Sequence, residues 1–173
     1  VVELFNCSHI GRLGEYVEAA AKEDMIGMVM CNNHGGGLLQ PPFGGIDSRM
    51  SPNPIAVGIP TGEAFQIVVD MTSSVVAEGK IRVKRNLGET LPEGWVIDGD
   101  GNATTDPGAF YGPPRGAILP FGGISAHKGY ALAIVVDVLS GALGGAGCSR
   151  DGASSGGNGV FLMAIDVGAF TGR

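Results

Sequence analysis

Apolar runs of several lengths follow one another along this chain, separated by stretches rich in glycine and proline. Val2 to Asn6 reads as a short strand, after which Leu13, Tyr16, Val17 and Ala20 recur at helical spacing through about Lys22. Ile26 to Cys31 is a buried strand by length and composition, and Ile55 to Ile59 follows the turn Ser51-Pro52-Asn53-Pro54 as another. Phe65 to Asp70 reads as a further buried strand, and Val160 to Asp166 as the last. From Val75 to Leu87 the pattern is mixed. Ile81 and Val83 alternate with Lys80, Arg82 and Lys84 as in a strand, while the length and a hydroxyl cap at Thr72 or Ser73 favour the helix we expect there.

The longest run, Tyr130 to Leu143, carries one charge, Asp137, and exceeds ordinary strand length, so it predicts a buried helix. Phe110 to Ala126 is read as a long loop, and Gly144 to Asn158 as a glycine/serine loop expected to be mobile. Strands and helices come in irregular order, without the repeated spacing of a doubly wound sheet. Asp98-Gly99-Asp100-Gly101-Asn102 invites a calcium reading but fails it. The sixth loop position is Ala103 where glycine is required and the twelfth is Ala109 where glutamate is required, so a turn is expected.

Composition narrows the class. With 173 residues the chain fits one domain, and 44% hydrophobic against 16% charged residues excludes a disordered chain. The 31 glycines follow no period and point to tight turns and close backbone approaches. A net charge of −6 without a basic stripe argues against nucleic-acid binding. No apolar run reaches the roughly twenty residues of a membrane span. Cys7, Cys31 and Cys148 form no CxxC pair, which suggests a reducing compartment, expected to be the cytoplasm. The chain opens at Val1 and its first segment reads as the interior of a larger protein, so we expect a fragment.

Candidate chemistry gathers at element ends. His9 follows the first strand, where an imidazole can act as acid or base or can simply cap the next helix. Asn32 and Asn33 close the second strand before Gly35-Gly36-Gly37, as a binding loop or as turn residues. Asp70-Met71-Thr72-Ser73-Ser74 brings a carboxylate and three hydroxyls to one strand end. His127-Lys128 opens the apolar helix, as an anion site or as a solvated lysine beside a capping histidine. These strand ends and this helix start can converge on one cleft. There is no GxGxxG, GxxxxGK[ST], GxSxG or HExxH, and three separated histidines do not make a metal site by spacing.

Taken together, Asn6-Cys7-Ser8-His9-Ile10-Gly11-Arg12-Leu13-Gly14, Pro42-Phe43-Gly44-Gly45, Pro52-Asn53-Pro54-Ile55-Ala56, Val69 to Ser74, Pro92-Glu93-Gly94-Trp95 and His127-Lys128-Gly129-Tyr130 resemble the malate/L-lactate dehydrogenase family of the non-Rossmann type. That family includes ureidoglycolate and sulfolactate dehydrogenases, diketogulonate reductases and piperideine-2-carboxylate reductases. The resemblance covers nearly the whole chain, in order. It implies an α+β fold with a mixed, largely antiparallel sheet flanked by helices, binding NAD or NADP without a Rossmann motif. It implies hydride transfer between NAD(P)H and a small 2-oxo acid, with 2-hydroxy acids such as malate or lactate as partners, or reduction of a cyclic imine carboxylate. His9 matches the proton acceptor; Asn33, Asp70, Met71, Thr72, Ser73, Ser74, His127 and Lys128 match cofactor contacts. A homodimer is implied as well. Residues 1–173 would then be the cofactor-binding part of a longer dehydrogenase, as a single domain, with N-terminal and C-terminal segments missing. Cys7 and Ser8 depart from the residues usual before the histidine. A degenerate domain that binds nucleotide without chemistry is the rival reading.

Overall fold

Five strands pair into one antiparallel sheet, and the chain enters it from an edge. In the computed structural model, which describes residues 1–35, 37–152 and 157–170, β1 (Val2–Cys7) lies outermost. α1 (Leu13–Lys22) leads to β2 (Met25–Asn33), and β3 (Ile55–Pro60) and β4 (Gln66–Met71) follow. α2 (Glu78–Leu87), β5 (Val96–Ile97), β6 (Ala103–Thr104), α3 (Pro107–Tyr111) and β7 (Ala117–Ile118) form a separate cluster. α4 (His127–Asp137) then runs to the last strand, β8 (Asn158–Asp166), which inserts between β1 and β2. The sheet order is β1-β8-β2-β3-β4, and β5 to β7 make a small sheet of order β6-β5-β7.

Helices cover both faces of the large sheet. α1 packs Leu13 and Val17 onto Val29, Cys31, Ala56 and Val160. Its approach is close because two strand positions facing it are glycines. A Cβ on Gly58 would lie 2.4 Å from the Val17 carbonyl oxygen, and one on Gly27 would lie 2.8 Å from the Ala20 Cβ. On the opposite face Val136 of α4 packs with Met30 and Phe161. A third core joins Leu39, Val76, Ile81, Leu91, Val96, Phe110 and Ile118 around the small sheet.

The antiparallel α+β architecture expected from the resemblance is the one observed, and α1 occupies the span its 3.6-residue spacing predicts. Four expectations need correction. The run from Phe65 to Asp70 forms a strand, but β4 is an edge strand with Ile67 and Val69 48% and 44% exposed, so its apolar side chains do not signal burial. α2 starts only at Glu78, and neither Thr72 nor Ser73 caps it, because its N-cap residue is Ala77. The apolar helix begins at His127 and is regular to Asp137, after which Val138–Ala142 forms a π-turn in which the Ser140 hydroxyl donates to the Val136 carbonyl. It is not buried all round, since Ile134, Val135 and Val138 are exposed. The stretch from Phe110 to Ala126 carries β7 and a 3-10 turn, Gly123–Ser125, as well as loop. The mobility expected between Gly144 and Asn158 falls partly on residues 153–156, which lie outside the described residues. The Asp98 loop is the turn anticipated: the Asp98 carboxylate accepts from the Asp100 and Asn102 amides, which holds its pKa below the usual carboxylate range.

Candidate active site

The end of β1 delivers His9. Pairing with β8 shifts register between Leu4 and Cys7, and Asn6 takes a left-handed backbone, so the chain bends out of the sheet before α1. His9 is exposed there, and the Gly11 amide donates to its Nδ1 at 3.1 Å. That bond occupies Nδ1 as an acceptor. In the neutral ring the proton therefore sits on Nε2, the nitrogen left to meet a ligand.

His9 lines a cleft of about 280 Å³ together with Leu13, Asn33, Pro52, Glu78 and Asn158. The expected convergence of His9 and Asn33 is thus observed, yet the Asn33 side chain is already engaged. Its Oδ1 accepts from the Gly35 and Gly37 amides, and its Nδ2 donates to Asn158 Oδ1 at 3.3 Å. Asn158 Nδ2 in turn donates to the Ser8 carbonyl at 3.1 Å. A relay of two amides from β2 and β8 therefore holds the backbone immediately before His9. Nothing in the sequence singled out Asn158, which reads as one polar residue at the end of a glycine loop; only the register Asn33↔Asn158 brings the two amides together.

Beneath the cleft lies a buried carboxylate. Asp137, 5% exposed, accepts from Asn32 Nδ2 at 3.1 Å, from the Ser149 amide and hydroxyl, both at 2.9 Å, and from Asn53 Nδ2 at 3.4 Å. Asn32, 1% exposed, completes its own bonding through the Gly147 carbonyl and the Gly159 amide. The lone charge in the apolar run is thus a pin between α4, the end of β2, the Pro52-Asn53-Pro54 turn and the loop after α4. Cys31 also lines the cleft, but burial pushes its thiol up to about 12, which removes it as a nucleophile near neutral pH.

The other candidate residues lie elsewhere. Asp70 does not line the His9 cleft: its carboxylate accepts from the Gly14 amide at 2.8 Å in the first turn of α1 and lies 3.7 Å from Arg12 Nε. Met71 is half-buried beside it. Thr72 donates to the Ser74 carbonyl, Ser74 to the Val76 carbonyl, and the buried Ser73 to the Pro52 carbonyl at 2.9 Å. The hydroxyls of Thr72 and Ser74 knit their own segment together, and that of Ser73 ties it to the Pro52 turn. His127 and Lys128 are exposed at the start of α4, with the Phe43 ring 5.6 Å from the His127 ring in an edge-on arrangement. Helical geometry starts upstream of them, in the 3-10 turn Gly123–Ser125, so the open end of the helix lies at Gly123 and not at His127. No ion pair among the described residues engages Lys128.

The two distant segments nevertheless meet. The Phe121 amide donates to the Ser73 carbonyl at 2.9 Å, and a Cβ on Gly129 would lie 2.8 Å from that same oxygen. A second cleft, of about 380 Å³, opens beside this junction between Pro41-Pro42-Phe43, Val75, Leu119-Pro120 and Ala126.

An antiparallel sheet with a histidine on a side-chain-braced loop, and no dinucleotide fingerprint, defines an architecture apart from the parallel-sheet nucleotide binders. The model of the malate/L-lactate dehydrogenase family matches residues 1–173. The malate dehydrogenase of Pyrococcus horikoshii is 40% identical over 173 residues, 95% of this chain and 46% of that protein. The L-lactate dehydrogenase of Cupriavidus necator is 38% identical over 97% of this chain and 50% of its own length. The solved malate dehydrogenase of Entamoeba histolytica superposes with a TM-score of 0.83 at 28% identity, covering 98% of this chain and 50% of that one. The chain belongs to the malate/L-lactate dehydrogenase family, and it spans about half the length of the curated relatives it matches.

Proposed function

We propose that this chain is the cofactor-binding part, as a single domain, of a longer NAD- or NADP-dependent dehydrogenase acting on a small 2-oxo or 2-hydroxy acid such as malate or lactate. The observation that carries this reading is His9 in a cleft with one nitrogen fixed by Gly11 and the loop before it braced by Asn158 and Asn33. Hydride exchange with a carbonyl carbon needs a group that moves a proton at the oxygen. In oxidation His9 takes the hydroxyl proton; in reduction the protonated ring returns it to the carbonyl oxygen as the carbon receives hydride. The nicotinamide, when bound, donates or accepts that hydride.

The cofactor-contact segments Asp70 to Ser74 and His127-Lys128 fit such a group in one respect the fold supports. They adjoin through Ser73, Phe121 and Gly129, where the missing side chain lets the helix pack directly on the Phe121 and Ser73 carbonyls. The hydroxyls of residues 72–74 are spent internally, so this segment would contribute backbone and shape, and Lys128 the charge for a phosphate or ribose. The enzyme works as a cytoplasmic homodimer on a small molecule, not on nucleic acid or at a membrane; no helix of the described residues is long and apolar enough to cross one.

The test is His9→Ala in the full-length enzyme with NADH and NADPH against a panel of 2-oxo acids. The expected outcome is a fall in kcat of about 10²- to 10⁴-fold with cofactor affinity retained. Cofactor binding without turnover in the unmutated enzyme, across 2-oxo acids and cyclic imine carboxylates alike, would point to a degenerate binding domain.

A further inference from the structure

Among the residues lining the His9 cleft the charged side chain is Glu78, and no lysine or arginine accompanies it. Glu78 opens α2, an element that belongs to the small-sheet lobe, and it reaches the cleft that His9 lines through the tertiary fold and not through any motif. Neither residue that holds its carboxylate lines the cleft. Tyr111 of α3 donates its hydroxyl to Oε1 at 2.5 Å, and Oε2 lies 3.6 Å from Arg82 Nη2. The Tyr111 ring is backed by the Arg85 guanidinium 4.6 Å from its centroid. Glu78 is 23% exposed, whereas Arg82 is 64% exposed, so solvent screens the arginine more than the carboxylate. The cleft therefore carries a fixed negative charge that its ion pair only partly offsets.

Such a wall repels a carboxylate, so a 2-oxo acid whose carbonyl meets His9 must turn its own carboxylate away from Glu78. The wall suits a group that is cationic in one state of the reaction. The oxidised nicotinamide ring carries a positive charge and the reduced ring none, while the rest of the two cofactor molecules is alike. We propose that Glu78 sets the preference of the His9 cleft for the oxidised over the reduced nicotinamide, an inference that rests on reading this cleft as the place where the nicotinamide meets His9. Hydride transfer to the ring removes its positive charge. The carboxylate then loses its partner, so the reduced cofactor is held less tightly than the oxidised one relative to a neutral cleft. Glu78 is thus a specificity residue for redox state, with Tyr111 its positioning residue.

Titration calorimetry of the full-length enzyme with NAD+ and NADH, or with the phosphorylated pair if those bind, tests this in Glu78→Gln. The glutamine keeps an acceptor for the Tyr111 hydroxyl and removes the charge. Affinity for the oxidised form should fall about five-fold, and that for the reduced form should change less than about two-fold. Arg82→Gln removes the offsetting cation and should move the oxidised form the other way, tightening it by about two-fold; this variant decides the matter if Glu78→Gln does not fold. Equal weakening of both cofactor forms in Glu78→Gln would overturn the proposal and leave Glu78 a prop for α2 and α3. Unchanged cofactor binding with a lower KM for the 2-oxo acid would overturn it too, by placing the carboxylate against the substrate. Failure of the unmutated enzyme to bind either form would sink the underlying reading of the cleft itself.

Discussion

The His9 cleft and the Phe43 cleft are built on opposite plans. The first is bordered by side chains that hold one another: Asn33 and Asn158 brace the loop before His9, and Asn32, Asn53 and Ser149 converge on Asp137 below it. The second is walled by Phe43 and by proline, glycine and aliphatic positions, with no titratable side chain among its lining residues. Geometry in the first rests on side-chain hydrogen bonds between residues distant in sequence. In the second it rests on the stiffness of Pro41-Pro42 and on backbone contacts such as that of Phe121 with Ser73. Proton chemistry demands groups aimed to within tenths of an ångström, whereas a shape-selective pocket tolerates more.

Breaking the Asp137 pin should have the largest effect. Asp137→Ala removes the acceptor shared by Asn32, Asn53 and Ser149, leaving Asn32 only the Gly147 carbonyl and Asn53 only the Ala133 carbonyl, and should cost about 3 kcal/mol in urea unfolding. Amide exchange should rise at residues 32, 33, 51 and 53, and at Ser73, whose amide donates to the Pro52 carbonyl, while residues 121–129 stay protected; equal loss there would mean the two clefts share one framework. Asn158→Ala should be milder, lowering kcat about ten-fold and stability by about 1 kcal/mol, because the Ser8 carbonyl loses its donor and His9 its fixed approach. Cofactor affinity should hardly change, and a matching fall in it would erase the division of labour. Phe43→Ala, at a half-exposed ring, should cost less than about 1 kcal/mol and leave kcat alone.

The smallest effect concerns the brace on Glu78. The Tyr111 hydroxyl is pushed up from 10.0 to about 12, by burial first and by its bond to Glu78 second. Folding therefore favours the protonated phenol. That contribution is complete below pH 10 and fades as the pH rises through 12, so unfolding midpoints should decline across that window and decline less in Tyr111→Phe. Spectrophotometric titration of tyrosinate absorbance would follow the same group directly.

How much of this was legible beforehand differs residue by residue. α1 was readable to its boundaries, since an amphipathic helix packed on a sheet must repeat its apolar positions every three to four residues. β4 was readable as a strand but not as an edge, because its consecutive apolar residues are those of a strand covered on both faces, and nothing in them says whether a further strand pairs beyond it. His9 and Asn33 could be picked out as polar groups at strand ends, and the resemblance of the motifs around them to one dehydrogenase family was already in the residues.

What the sequence determines by itself is therefore local periodicity, turn chemistry, the absence of a dinucleotide fingerprint and the family motifs, because each depends on residues close along the chain. Only the tertiary structure decides that Asp70 serves Gly14 across 56 positions, that Asp137 ties four segments together, that Asn158 reaches Ser8, and that Glu78 lines the same cleft as His9. The reason is physical. A buried or half-buried polar side chain must find a partner, but nothing in its neighbours in the chain says which one; strand register and helix packing settle that choice.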